Sequence, residues 1–158
     1  MSESTAPRIR RETCTAACTK RWRSTPRASR GTSHHAATAR LLAADGYVLT
    51  LVARRGSTLE LIASELGGAQ VVAADLGVPG AVEQVVTAAP AVDVLVNNAG
   101  VGDFGPFAAT DPTKTTTMLQ LNVAAFTELT RAYLPGMLER GHGRCSTWRP
   151  LPASSPDR

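Results

Sequence analysis

The middle of the chain alternates between short apolar runs and segments of helical composition, and this alternation restricts the fold more than any other feature. A helix-forming segment at 36–45 is followed by apolar runs of strand length at 47–53, 69–74 and 92–96. Helical segments and turn residues separate these runs. Connections of this length require parallel strands with right-handed crossovers. The pattern therefore predicts an α/β fold with a doubly wound parallel sheet.

Caps and helix breakers predict the helices between and after these strands. Ser57 and Glu60 have the S-x-x-E spacing of a capping box, which predicts that a helix begins there. Pro79 is suited to the first position of the next helix. Residues 115–140 predict a long helix with a kink at Pro135.

The overall composition is that of a water-soluble globular chain. Its 158 residues are 43% hydrophobic and 19% charged, and this length suits one domain. No apolar run reaches the roughly 18 residues that a membrane span needs, and the N-terminus lacks the apolar core of a secretory signal. Three cysteines do not make a disulfide framework, so we expect a cytoplasmic protein with no membrane partner.

Charge and residue type divide the chain into three segments. Residues 1–40 hold nine Lys or Arg and two Glu, whereas residues 41–158 hold eight basic and eleven acidic residues. We expect a basic segment of low order at 1–35, a partial α/β domain at 36–144, and a disordered tail rich in Pro and Ser at 145–158.

The basic N-terminal segment admits three interpretations. It could be an arm that binds nucleic acid through phosphate contacts; its basic residues are Arg8, Arg10, Arg11, Lys20, Arg21, Arg23, Arg27 and Arg30. No recognised fold or set of aromatic residues accompanies them, so a nucleic-acid partner is not favoured. A zinc site from Cys14, Cys18, His34 and His35 lacks the H-x3-5-H spacing, so no metal is expected. The third interpretation is that both flanks come from a shifted reading frame in GC-rich DNA.

Four motifs in the middle resemble the short-chain dehydrogenase/reductase family, over about residues 36–144. The family's NNAG motif follows the run Val-Asp-Val-Leu-Val, and here it consists of Asn97, Asn98, Ala99 and Gly100. The other three motifs are Ala53-Arg54-Arg55 after the second family strand, Asp75-Leu76 after the third, and Leu121-Asn122-Val123 in the long helix.

The resemblance implies hydride transfer between a nicotinamide cofactor and a carbonyl or alcohol carbon of a small molecule. Arg54 and Arg55 match the turn of NADP-preferring members, since a guanidinium pairs with a 2′-phosphate; NAD is the less favoured cofactor. Asp75 and Leu76 match the adenine contact, although Asp75 could equally cap a helix. Asn122 matches the Asn of the catalytic tetrad, and homo-oligomers are implied as in intact relatives.

The same resemblance shows where the chain departs from the family. The family opens with a strand and the phosphate-binding turn TGxxxGxG; the part that resembles this turn consists of Ser29, Arg30 and Gly31 after Ala28. The preceding strand would fall on residues 20–25, which include three cations, and cations are costly in a buried strand. We therefore expect a damaged first strand, neighbours that lack their shared partner, and weak cofactor binding.

The C-terminal part of the family pattern is also missing. The run after Arg144 is not an apolar strand carrying a Ser, and neither Tyr47 nor Tyr133 has Lys four residues later, as YxxxK requires. Of the tetrad only Asn122 has a match. We therefore expect a truncated, frame-disrupted oxidoreductase that is catalytically incompetent. A non-catalytic nucleotide-binding or scaffold fragment, and a protein that associates with nucleic acid through residues 1–35, are the alternatives.

Overall fold

The structure is a computed structural model that describes residues 13–17, 34–103 and 105–147. The described residues form one parallel sheet with the strand order β3-β2-β1-β4-β5. Its strands are β1 (Thr13–Ala17), β2 (Val48–Ala53), β3 (Gln70–Ala73), β4 (Val94–Asn97) and β5 (Arg144–Thr147). The predicted doubly wound α/β class is therefore confirmed.

Five α-helices in the described ranges lie between these strands. They are α1 (His34–Ala44), α2 (Gly56–Glu65), α3 (Ala81–Ala88), α4 (Pro112–Leu119) and α5 (Phe126–Glu139). A π-helical segment, Gln120–Ala125, joins α4 to α5, so that one continuous helix runs from residue 112 to residue 139. No helix in the described ranges is long and apolar enough to cross a membrane.

Both faces of the sheet are covered, because successive side chains of a strand point to opposite faces. On one face Leu49 and Leu51 of β2 pack with Leu59 of α2. On the other face Val52 and Leu95 pack against α3 and α5. The strands β2 and β4 are therefore continuous apolar runs rather than alternating ones, as buried parallel strands are.

The central strand comes from a segment that the sequence analysis did not select. The segment Thr13–Ala17 pairs with both β2 and β4, so the expectation that these two strands lack a shared partner is wrong. Residues 20–25 lie outside the described residues. Residues 13–17 are better suited to the centre of the sheet because their sequence, Thr-Cys-Thr-Ala-Ala, carries no charge. Burying them therefore does not require a cation to lose its water.

The last strand was missed for a similar reason. We expected no strand after Arg144, yet Arg144–Thr147 pairs in parallel with β4. The Arg144 N–H also donates to the Asp93 carbonyl over 2.8 Å. Residues 144–146 are exposed, so β5 does not need the large apolar residues that a strand covered on both faces requires. The segment boundary expected at residue 145 falls inside β5.

Several helix starts also differ from the expectations. Pro79 is not the first residue of its helix, because α3 begins at Ala81 after the N-cap Gly80. The residue before α2 is Arg55, with no capping hydrogen bond from its side chain, so Ser57 and Glu60 do not form the predicted capping box. The long helix begins before the expected residue 115, because the Asp111 carboxylate accepts a hydrogen bond from the Thr113 N–H over 2.9 Å. Pro112 follows as its first residue, where its missing N–H costs no hydrogen bond.

The position of the central strand can be tested with two proline substitutions. Thr15→Pro should lower the free energy of unfolding by more than about 1 kcal/mol, because proline breaks a hydrogen bond of the ladder. Ser24→Pro is the matched control and should change it by less than about 0.5 kcal/mol. Chemical denaturation followed by circular dichroism measures both. The reverse order of effects would move the strand to residues 20–25.

Candidate nucleotide-binding site

The candidate site lies at the edge of the sheet where β1, β2, β3 and β4 end. Ala17, the last residue of β1, is paired with Val52 on one side and with Asn97 on the other. The Ala74 N–H donates to the Ala53 carbonyl over 3.1 Å, which joins the ends of β2 and β3. The strand ends are therefore level with one another. In open parallel sheets, ligands bind in the crevice outside this edge.

Two exposed cations follow β2. Arg54 and Arg55 come directly after Ala53, and both are exposed. Arg55 is also the N-cap of α2, and the first turn of α2 contains no acidic residue. The positive end of the helix dipole adds to the two guanidinium charges. This corner of the sheet is consequently suited to an anionic group such as a phosphate.

A tight turn follows β3 and orients one carboxylate. Asp75 Oδ1 accepts a hydrogen bond from the Gly77 N–H over 3.0 Å, and the Asp75 carbonyl accepts one from the Val78 N–H over 3.0 Å. The Asp75 side chain is exposed, whereas Leu76 is 1% exposed and belongs to the core. Leu76 can therefore offer a ligand only its main-chain groups.

The four residues of the NNAG motif make different contacts. Asn97 is 8% exposed, and its Nδ2 donates to Thr130 Oγ1 over 3.3 Å, which joins β4 to α5. The neighbouring Asn98 has a buried Oδ1 that accepts no hydrogen bond from the described residues. A buried acceptor without a partner is costly, so Asn98 is the member of the motif that has a hydrogen bond to offer a ligand or a water molecule. Ala99 is half-buried and packs against the core.

Asn122 fixes the main chain that follows this motif. Its Oδ1 accepts a hydrogen bond from the Val101 N–H over 3.0 Å, and its Nδ2 donates to the Val101 carbonyl over 2.8 Å. The oxygen and the nitrogen of the Asn122 side-chain amide thus both bond to Val101, the residue after Gly100. Asn122 lies in the π-helical segment, and π-helical turns occur often at functional sites.

Most of the remaining predicted site residues fall outside the described part of the chain. Ser29, Arg30 and Gly31 lie outside the described residues, and so do the basic residues proposed for the nucleic-acid arm. Of the zinc candidates, Cys18 also lies outside them. Within the ranges that the structure describes, no three His, Cys, Asp or Glu side chains are grouped as a metal site would need.

Two pairs of residues at this edge could not be found from the motifs. Thr130 accepts a hydrogen bond from Asn97, and Thr117 lies close to Gly77. In both pairs the two residues are distant in sequence.

The thiol of Cys145, in β5, is not an activated nucleophile. Burial raises the pKa of its thiol, and its Sγ lies 3.9 Å from Met137 Sδ.

The fold is an α/β fold of the Rossmann type, with the candidate site at the edge where its parallel strands end. The family model described as short chain dehydrogenase matches residues 29–145, about three quarters of the chain. The chain therefore belongs to the short-chain dehydrogenase/reductase family.

Two curated relatives and one solved structure illustrate the similarity. The ketoacyl reductase HetN of Nostoc is 41% identical over 63 residues, which are 40% of this chain and 22% of that protein. The NADP-dependent 3-hydroxy acid dehydrogenase YdfG of Escherichia coli K12 is 38% identical over 68 residues, 40% of this chain and 27% of that protein. A metagenomic short-chain oxidoreductase in complex with NADP has a TM-score of 0.75 and 28% identity over 92% of this chain and 64% of that chain. The match thus spans about a quarter of the curated relatives' length.

The tether made by Asn122 can be tested by substitution. Asn122→Ala should lower the free energy of unfolding by about 1 kcal/mol and speed hydrogen exchange of the Val101 amide, because both hydrogen bonds are lost. Val123→Ala, at an exposed neighbouring position, is the control and should leave the Val101 exchange rate unchanged. Equal Val101 exchange in Asn122→Ala and the parent chain would contradict the tether.

Proposed function

We propose that this chain carries the NADP-binding part of a short-chain oxidoreductase site and does not transfer hydride by itself. The chain belongs to the short-chain dehydrogenase/reductase family. The oxidoreductase site, the preference for NADP over NAD and the loss of catalysis are our proposals. The substrate class implied by the relatives is a small carbonyl or alcohol compound.

The pair of guanidinium groups after β2 carries the proposal of NADP. NADP differs from NAD by a phosphate on the 2′-oxygen of the adenosine ribose, and an acidic residue at this position would repel that phosphate. Arg54 and Arg55 present positive charge there instead, beside an α2 first turn without acidic residues. A planar guanidinium also forms paired hydrogen bonds with a phosphate. YdfG is named as NADP-dependent, and the metagenomic relative was solved with NADP, which supports the same preference.

The other described groups at the edge fit the same cofactor. The Asp75 carboxylate is an acceptor suited to an amino group, as on adenine, and Asn98 Oδ1 is a buried acceptor that lacks a partner among the described residues. When bound, the nicotinamide ring supplies the hydride chemistry. The contribution of this chain is to bind and orient, and Asn122 holds the main chain at Val101 in place beside the site.

Both tyrosines lie in positions that do not suit the proton donor of such a site. Tyr133 is 3% exposed, and its hydroxyl donates to the Ala89 carbonyl over 2.8 Å. Tyr47 precedes β2, at the opposite end of that strand from Arg54. Because neither residue has Lys four positions later, the chain lacks the lysine that lowers the pKa of a catalytic tyrosine in the family.

The cofactor preference predicts the outcome of a charge deletion. Arg54→Ala combined with Arg55→Ala should weaken NADP binding by about tenfold or more and leave NAD binding nearly unchanged, because the lost contacts are to the 2′-phosphate. Isothermal titration calorimetry measures both dissociation constants. Arg144→Ala removes an exposed cation at the start of β5, at the opposite edge, and is the matched control. Equal losses for NADP and NAD would remove the basis for the NADP preference.

The absence of catalysis is tested separately. The purified 158-residue chain, mixed with NADPH and a panel of carbonyl compounds, should consume no NADPH above the buffer rate. General acid catalysis contributes roughly 10²–10⁴-fold, and the chain has no matching donor. Absorbance at the NADPH band measures the rate. Turnover that Asn122→Ala abolishes would show a working active site and refute this part of the proposal.

A further inference from the structure

One edge of β5 is unpaired among the residues that the structure describes. β5 lies at the end of the sheet, where it pairs in parallel with β4 and with no other described strand. Its first three residues, 144–146, are exposed. An exposed edge of this kind presents free N–H and C=O groups, which can pair with a strand of another chain.

The pairing with β4 decides which main-chain groups of β5 point outward. The Arg144 N–H donates to the Asp93 carbonyl, so the main-chain groups of Arg144 are directed toward β4. The direction of these groups alternates along a strand, so those of Ser146 also face β4, whereas those of Cys145 and Thr147 point away from the sheet. Two residues of β5 therefore each offer a donor and an acceptor to a further strand.

A second copy of β5 matches these groups in one antiparallel register. A hydrogen-bonded antiparallel pair joins two residues that both direct their main-chain groups across the gap. Cys145 therefore lies opposite Thr147 of the second copy, Thr147 lies opposite Cys145 of the second copy, and the twofold axis passes beside Ser146. Arg144, the only charged residue of β5, lies outside these pairs, so no like charges are placed opposite each other.

Two exposed leucines of α5 lie on the same flank of the sheet. Tyr133 faces α3, because its hydroxyl donates to the main chain at the end of that helix, and Met137 Sδ lies 3.9 Å from Cys145 Sγ on β5. Around the helix axis, Met137 is about 40° from Tyr133, and the same sense of rotation reaches Leu134 at about 100° and Leu138 at about 140°. These leucines, 42% and 71% exposed, therefore follow β5 on the side away from α3.

We propose that the outer edge of β5, together with Leu134 and Leu138, is the interface of a symmetric dimer of this chain. The two sheets join at Ser146 into one continuous sheet. The leucines of the two copies meet on the α5 face of this sheet, because Met137 places them beside Cys145 and hence close to the axis. A second copy fits because the main-chain groups, the apolar side chains and the charges all match their own symmetric image. The dimer does not depend on the binding of a cofactor.

Two substitutions of Cys145 test the strand pairing. Sedimentation equilibrium of the full chain should show a reversible dimer with a dissociation constant of about 1–100 μM, as a small interface gives. Cys145→Pro removes the N–H that points away from the sheet and should weaken the dimer about tenfold or more, without removing a hydrogen bond to β4. Cys145→Ala keeps this N–H and is the matched control. Circular dichroism melts check that both variants are folded.

A charge on α5 tests the helical part of the interface without altering the sheet. Leu138→Asp should weaken the dimer about tenfold or more, because it brings two carboxylates together near the axis in place of apolar contacts. Leu41→Asp, on α1 at the other face of the sheet, is the matched control and should keep the parent dissociation constant, since Leu41 is 68% exposed.

A disulfide tests the register. In Cys145→Ala combined with Ser146→Cys, the thiols at position 146 of the two copies lie opposite each other, with Cα atoms about 4.5 Å apart. Oxidised glutathione should link this variant rapidly through position 146, as mass spectrometry of the tryptic peptide shows. The thiols at Cys145 of the parent chain lie diagonally across the axis and should link at least about tenfold more slowly.

The outcomes separate the dimer from its register. A chain that stays monomeric up to about 100 μM overturns the proposal, and so does a dimer that neither Cys145→Pro nor Leu138→Asp weakens. Equal rates of linking at positions 145 and 146 overturn the register centred on Ser146.

Discussion

The pairing of β1 with both of its neighbours is the interaction on which the rest of the structure depends. Ala17 is paired with Val52 and also with Asn97, so the ends of β2 and β4 are level with each other. Main-chain hydrogen bonds set this register, and they do so without any large side chain in β1. The loops that carry the candidate site are consequently brought to one edge by a segment that contains none of the recognised motifs.

The continuous helix of α4, the π-helical segment and α5 organises the same edge from one side. Thr117 of α4 lies close to Gly77 in the turn after β3. Asn122 binds the main chain of Val101 after β4, and Thr130 of α5 accepts a hydrogen bond from Asn97. One continuous helix thus lies beside the segments that follow two strands. A displacement of the start of this helix would therefore shift both segments, because closely packed elements transmit strain to their neighbours.

The chemistry that the described residues offer is recognition. Positive charge after β2 and an oriented carboxylate after β3 are suited to a phosphate and an amino group, which occur together in an adenosine 2′-phosphate. The tyrosines are placed elsewhere, since the hydroxyl of Tyr133 is used in the core and Tyr47 lies at the far end of β2. The described edge therefore presents groups suited to binding, and neither tyrosine hydroxyl lies among them.

The fold class, the positions of β2, β3 and β4, and the family motifs could all be predicted from the sequence, because these are local patterns of apolar runs, turns and short residue strings. It failed at β1 and β5, where small or polar residues pair through the main chain and leave no hydrophobic pattern. It also left open what each motif residue contacts. The contacts appear only in the folded chain: Asn97 joins β4 to α5, Asn122 binds Val101, and Gly77 lies close to Thr117. Such contacts join residues far apart in the chain, and their distances depend on how the helices pack on the sheet.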